Sequence, residues 1–265
     1  MEMVPAPNAS LTGTVLFYRQ PELLSRETHA NLGVNAAPTR FGFATTAHVC
    51  PLTVPEFGPA ALSYPIIFVG EQQQPVAVMG LTEGQNLFTN EQGYELDAYI
   101  PCYVRRYPFV LANGGPEAED RMLVCIDRGY EYLAEGGEYR LFENGEPTEY
   151  TKNSIQFCND FETQNRMTTA FVTMLQQLDL LDSRTTTYTP QNPDGTAGEP
   201  QVLAQYLGVN DVKLNALPAD KLMELRDNGA LSQIYAHLLS LQNWDKLLVR
   251  ASARQAAAPT AANAS

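Results

Sequence analysis

From residue 155 onward, apolar side chains recur every three or four positions: Ile155, Cys158, Phe161, Met167, Phe171, Met174, Leu178 and Leu181. That spacing keeps one face of a helix apolar. It predicts a long amphipathic helix that starts near Thr151 and ends near Asp182. Polar residues fill the wider gap between Phe161 and Met167, which predicts a polar patch or a local bend there. A helix of this length excludes an all-β fold. The stretches ahead of it read as strands, so the predicted class is α+β: a mainly antiparallel, strand-rich N-terminal part, a long helix, and a C-terminal helical pair packed against it.

The strand signals are short and set off by proline, glycine and polar turns. Thr14-Val15-Leu16-Phe17-Tyr18 reads as a strand ended by Pro21. His48-Val49-Cys50 reads as a strand leading into a short helix, capped by Thr53 with Pro55 in its first turn. That helix must stop before Tyr64-Pro65, because the residue ahead of a proline is pushed out of the α region. Pro65-Ile66-Ile67-Phe68-Val69 and Pro75-Val76-Ala77-Val78-Met79-Gly80-Leu81 flank a polar turn, as an antiparallel hairpin does. Asn86-Leu87-Phe88, residues 107–111, residues 122–127 and residues 139–142 are further strands. Asn144-Gly145 marks a tight turn. Two segments share one grammar, an early proline followed by Tyr-Pro and an apolar strand: residues 55–69 and 101–111. Two short copies do not make a repeat array.

After the long helix, residues 183–200 carry Thr185-Thr186-Thr187, Pro190, Pro193 and Gly195, and read as a flexible linker or loop. Residues 202–207 suggest a last strand. Pro218 opens a short helix stopped by Asn228-Gly229, and a second helix carries Leu231, Ile234, Leu238, Leu241 and Leu248. The expected organisation is a core over residues 11–182, a linker at 183–200, a helical part at 201–250 docked on the core, and a disordered alanine-rich tail at 251–265.

The chain has 265 residues, with 17 Lys and Arg against 30 Asp and Glu, a formal net charge of -13. An acidic surface repels phosphate backbones and anionic head groups, which argues against nucleic acid as a partner. No apolar run is long enough to span a bilayer, so membrane insertion is not expected. The N-terminus lacks the basic-then-apolar pattern of a secretory signal. Cytoplasmic residence is therefore expected, with the cell surface reached by unconventional export as the alternative. Cys50, Cys102, Cys125 and Cys158 show no CxxC spacing and read as reduced, partly buried thiols.

No nucleotide-binding glycine loop, nucleophile elbow or metal-ligand array is present, so no catalytic residue, cofactor or metal is expected. Of the three histidines, His237 reads as a hydrogen-bonded packing residue near Trp244, His29 as a surface residue, and His48 as a strand residue able to meet Cys50. Glu135-Gly136-Gly137-Glu138 is a glycine turn between acids, of the wrong charge for phosphate. Arg105-Arg106, flanked by Tyr103 and Tyr107, is the candidate anchor. A guanidinium offers a planar fork of donors to a carboxylate or phosphate. The alternative is architectural, one arginine pairing with an acid such as Asp97 and the other stacking on tyrosine.

Several segments, in order, resemble the SapC family of bacterial proteins. They are Phe41-Gly42-Phe43, Pro51-Leu52-Thr53-Val54-Pro55-Glu56-Phe57, Tyr64-Pro65-Ile66-Ile67-Phe68, Gly84-Gln85-Asn86-Leu87-Phe88, Tyr103-Val104-Arg105-Arg106-Tyr107-Pro108-Phe109 and Ile234-Tyr235-Ala236-His237-Leu238-Leu239-Ser240-Leu241. The resemblance runs from about residue 14 to residue 250. It implies an association with surface layers or peptide transport and an accessory role, and it carries over no catalytic residues. The expected function is non-enzymatic binding of a protein or peptide partner. The alternative is an enzyme or enzyme accessory for a small acidic or peptide substrate held by Arg105 and Arg106.

Overall fold

A computed structural model describes residues 16–113, 122–190 and 196–257. The chain opens with a short strand β1 (Pro21–Leu23), one helical turn α1 (Arg26–His29) and strand β2 (Leu32–Val34). Strand β3 (Val49–Pro51) leads through a 3-10 turn (Val54–Glu56) into helix α2 (Phe57–Ala60) and strand β4 (Ile66–Val69). Strand β5 (Gln74–Val78) and the small pair β6 (Thr89–Asn90) and β7 (Gly93–Tyr94) follow. Then come helix α3 (Cys102–Arg105), strands β8 (Phe109–Asn113) and β9 (Met122–Asp127), and strands β10 (Leu133–Glu135) and β11 (Tyr139–Arg140). Strands β12 (Phe142–Glu143) and β13 (Glu146–Pro147) precede the long helix α4 (Glu149–Gln177). Strands β14 (Leu181–Tyr188) and β15 (Gln201–Val209) end the β part. Helices α5 (Asp211–Asn215), α6 (Ala219–Asp227), α7 (Ala230–Ser240) and α8 (Asn243–Ala257) close the chain. This is an α+β fold with antiparallel sheets.

The chain divides into two units, each made of two separate segments: residues 1–43 with 103–163, and residues 44–102 with 164–265. In the first, β1-β9-β8 and β10-β2-β11 are antiparallel three-stranded sheets. Their core holds Leu32, Val34, Phe109, Ile126, Leu141, Phe142 and Cys158, all buried. Strands β10 and β11 flank β2 on both edges, so the Gly136-Gly137-Glu138 link must pass over the middle strand. A Cβ on Gly33 would lie 2.5 Å from the Gly137 carbonyl oxygen, and one on Gly137 would lie 2.3 Å from that of Gly33. Only glycine at both positions permits the crossing. Between β12 and β13, Asn144 and Gly145 hold φ of 50° and 82°, as a two-residue hairpin turn requires.

Asp127, at the end of β9, is fully buried. Its carboxylate accepts the backbone N–H of Arg19 (3.0 Å), Gln20 (2.7 Å) and Gly129 (3.0 Å), and the Tyr107 hydroxyl (2.9 Å). Four donors replace the water that a buried carboxylate loses. The acid thereby fastens the chain ahead of β1 to the β9 turn.

The second unit is built on one antiparallel sheet in the order β14-β15-β4-β5-β3. Phe57 of α2 sets its ring edge-on to Phe68 of β4 and to Phe171 of α4, with centroids 6.4 and 5.9 Å apart. Helix α7 is tied to the sheet through side chains. The Ser240 hydroxyl accepts the Ile66 N–H at 2.9 Å, and His237 Nε2 accepts the Val209 N–H at 3.0 Å. Asn243 donates to the carbonyls of Ala61 and Tyr64 at 2.7 and 3.0 Å. Glu56, 3% exposed, is this unit's buried acid. It accepts the Thr53 N–H and hydroxyl (both 2.8 Å), the Tyr99 hydroxyl (3.0 Å) and the Cys102 N–H (2.6 Å).

Several sequence expectations need correction. Residues 183–188 are not linker: they belong to β14, and their threonines alternate between partly buried and exposed positions against β15. The β-branched run that looked like loose polar chain is half of a hairpin. The long helix ends at Gln177, because Asp179 turns into the left-handed region (φ 52°). The last helix is two, α7 and α8. The alanine-rich segment is helical to Ala257. Residues 16–18 are not strand: Phe17 has φ 76°, and Pro21 begins β1 rather than ending a strand. Asn86-Leu87-Phe88 is not strand either. His29 is not on the surface. It is fully buried, with Nε2 2.9 Å from Glu22 and Nδ1 2.6 Å from the Thr28 hydroxyl. The expectations for residues 14 and 15 and for the tail past 257 lie outside the described residues. All four cysteines are buried, and none is joined in a disulfide.

Candidate functional site

The arginine pair sits where α3 ends and the chain turns into β8. Pro101 and Pro108 restrict the backbone on either side of the pair. Arg105 is exposed, with its guanidinium carbon 5.4 Å from the Phe157 ring centroid. Arg106 is half-buried, and its guanidinium carbon lies 4.1 Å from the Tyr103 ring, 4.4 Å from Phe161 and 5.8 Å from Tyr18. Stacking engages the face of a guanidinium and leaves its N–H edge to hydrogen bonding. The buried Nε of Arg106 has no hydrogen-bond partner among the described residues.

Both arginines line a cavity of about 300 Å³. The rest of its wall is Phe109 of β8 and a face of α4: Tyr150, Asn153, Ser154 and Phe157. Those helix positions are spaced by three and four residues, so they stack along one side of α4. The cavity thus combines two cations, an amide, a hydroxyl and three aromatic rings. Burial pushes the Tyr150 phenol up to about 12, so it serves as a neutral hydroxyl at ordinary pH. The Ser154 hydroxyl donates to the Tyr150 carbonyl at 2.9 Å and keeps its lone pairs for an incoming donor. Cys158, one position beyond Phe157, is pushed up to about 11 by burial, against the pull of Arg106, and stays a thiol.

The four sequence candidates therefore separate. Arg105 and Arg106 meet at one cavity. Tyr103 stacks on Arg106 behind it, as the architectural alternative anticipated for one arginine. Tyr107 is elsewhere: its hydroxyl goes to Asp127, and burial raises its phenol well above the usual range. Its ring contacts Phe43 at 4.4 Å, Tyr130 at 5.0 Å and Tyr18 at 5.1 Å. Tyr150, Asn153, Ser154 and Phe157 escaped the sequence reading, which followed the apolar stripe of α4 and not the mixed aromatic-polar face beside it. The three-four spacing of Tyr150, Ser154, Phe157 and Phe161 was the available signal. The Cys50 thiol donates to the Pro51 carbonyl at 3.6 Å.

Among the described residues no cluster of three or more His, Cys, Asp and Glu side chains is placed to hold a metal. No described helix is long and apolar enough to cross a membrane. Fold and cavity together define an α+β protein with an arginine-bearing, aromatic-walled cavity. The SapC family model matches residues 24–247, and the chain belongs to the SapC family. No curated protein and no solved structure matches it.

Proposed function

We propose that this SapC-family protein is a binding protein, and that the Arg105–Arg106 cavity takes a carboxylate of a peptide or protein partner. The observation that carries the reading is the buried, unpartnered Nε of Arg106 beside a cavity lined by a second arginine. A buried donor without an acceptor costs about 1–3 kcal/mol, and turning the Arg106 guanidinium toward a ligand oxygen in the cavity would relieve that cost. The aromatic wall suits the apolar part of a peptide side chain, and Asn153 and Ser154 suit its backbone. Binding is favoured over catalysis because the nearest nucleophilic groups are not activated. Cys158 is held as a thiol, and the Ser154 proton is directed at a backbone carbonyl. The family's association with surface layers makes a cell-envelope protein the first partner to try, and fractionation decides where the two could meet.

The direct test is calorimetric titration with short peptides ending in Asp or Glu, beside the same peptides amidated and changed to Asn or Gln. Acidic peptides are expected to bind at least tenfold more tightly than their neutral counterparts. Arg106→Lys keeps the charge but loses the fork, and should weaken binding about tenfold. Arg105→Ala should weaken binding severalfold, with a melting curve showing that the variant is folded. Equal binding of acidic and neutral peptides would sink the reading.

A further inference from the structure

A second cavity of the first unit, of about 190 Å³, has the opposite chemistry. Its lining includes four aromatic residues, Phe41, Phe43, Tyr130 and Tyr132, together with Glu131 and Arg40. Phe41 and Phe43 meet edge-to-face at 6.2 Å, and so do Tyr130 and Tyr132 at 5.4 Å. Each aromatic face carries partial negative charge, and several faces around one space attract a desolvated organic cation. Glu131, exposed at the same cavity, adds a full negative charge. The chain shows this preference itself, with the Arg40 guanidinium carbon 6.0 Å from the Phe41 centroid.

The walls are fixed before any ligand arrives. Phe43 and Tyr130 both pack on Tyr107, at 4.4 and 5.0 Å, and the Tyr107 hydroxyl is held by the buried Asp127. The loop carrying Tyr130 and Tyr132 is pinned by Tyr130 N–H to the Asp127 carbonyl (3.1 Å) and Asn35 N–H to the Tyr132 carbonyl (2.8 Å). Phe41 holds φ 52°, a conformation that bulky residues seldom adopt. The volume is below the roughly 300–1,000 Å³ of a drug-sized site and suits a compact head group. An anion would meet Glu131, and a purely apolar ligand would gain nothing from it.

We infer that this cavity binds a quaternary ammonium or methylated amine head group, with the rings of Phe41, Phe43, Tyr130 and Tyr132 around the cation and Glu131 as its counter-charge. The inference does not depend on the arginine cavity. Arg40 is the competing cation from the chain itself. The net charge of -13 draws cations toward the surface in general, so the experiment must separate a built site from that diffuse attraction. Calorimetric titration with choline, and with its uncharged carbon isostere 3,3-dimethyl-1-butanol, makes the separation. A trimethyl-lysine peptide distinguishes a protein source of the same group from a small molecule. Choline, the peptide or both should saturate one site, with the isostere at least tenfold weaker. Glu131→Gln should weaken that binding severalfold, Tyr132→Ala should weaken it about tenfold, and Arg40→Ala should tighten it. Melting curves of the variants show whether each is folded. Failure of both cations to saturate a site, or an isostere that binds as well as choline, overturns the inference. So does binding that Glu131→Gln and Tyr132→Ala leave unchanged in folded protein.

Discussion

Two buried side chains, Asp127 and Glu56, each gather hydrogen-bond donors from separate stretches of the chain. Asp127 accepts from three backbone N–H groups and one hydroxyl, and Glu56 from two backbone N–H groups and two hydroxyls. A carboxylate suits that role because it only accepts, whereas an amide turns an N–H toward other donors. Asp127→Asn is therefore expected to cost about 2–4 kcal/mol in urea unfolding, and Tyr107→Phe, which removes one donor, about 1 kcal/mol. A loss below that for Asp127→Asn would mean the donors find other partners. His237 makes a pH prediction. Burial pushes it down to about 3 from the ordinary 6.5. Above 6.5 it is neutral in both folded and unfolded chains and stability does not depend on it. Between 6.5 and about 3 only the unfolded chain takes up its proton, so stability falls as pH falls, by about 1.4 kcal/mol per unit. Unfolding curves between pH 7 and 4 should show this slope, and His237→Gln should flatten it. At this scale the sequence was an uneven guide. Thr53-x-x-Glu56 is a local pattern that a helix start explains, but Asp127 gathers Arg19 and Gln20 from a distant stretch, and nothing near it announces that. His29 lies among polar neighbours, which suggests exposure, yet it is fully buried with Nε2 against Glu22.

Helix α4 was the most legible element because its apolar period persists for many turns, and period is what a helix writes into sequence. Its end was less so: Leu178 and Leu181 continue the spacing, yet Asp179 in the left-handed region breaks the backbone. The threonine run of β14 resembles a loop in sequence, because its alternation is among polar residues. The glycines of the β10–β11 link were visible as a turn, but the strand they cross was not, since Gly33 lies a hundred residues earlier. That crossing gives a sharp expectation. Gly33→Ala or Gly137→Ala places a methyl against a backbone carbonyl with no room to yield, and should cost about 2–3 kcal/mol, the upper range for overpacking. Gly136→Ala meets no atom, though its φ of 68° makes it mildly unfavourable. A Gly33→Ala protein as stable as the parent would show that the link does not run where the structure places it.

For the whole molecule, the sequence pointed to a core followed by a docked C-terminal part, whereas the chain passes back and forth between two units, at residues 43–44, 102–103 and 163–164. Such interleaving is set by long-range pairing, above all β4 with β15, and no local pattern encodes which strands will meet. The arrangement has a consequence for how the protein is made. On a ribosome, everything the first unit needs has emerged once residue 163 is clear. Strands β3, β5 and β4 of the other unit are present by then as well, but the outer edge of β4 must wait for β15, where Leu207 pairs with Phe68. Until that strand arrives, the nascent chain carries an apolar run, Ile66-Ile67-Phe68, with one row of backbone groups unpaired, the kind of edge that recruits other chains. A chain released after Gln177 should accordingly associate, seen by light scattering, and a peptide spanning residues 201–209 should suppress that association. The period between the birth of β4 and the birth of β15 is thus when this protein is most exposed to its neighbours in the cell.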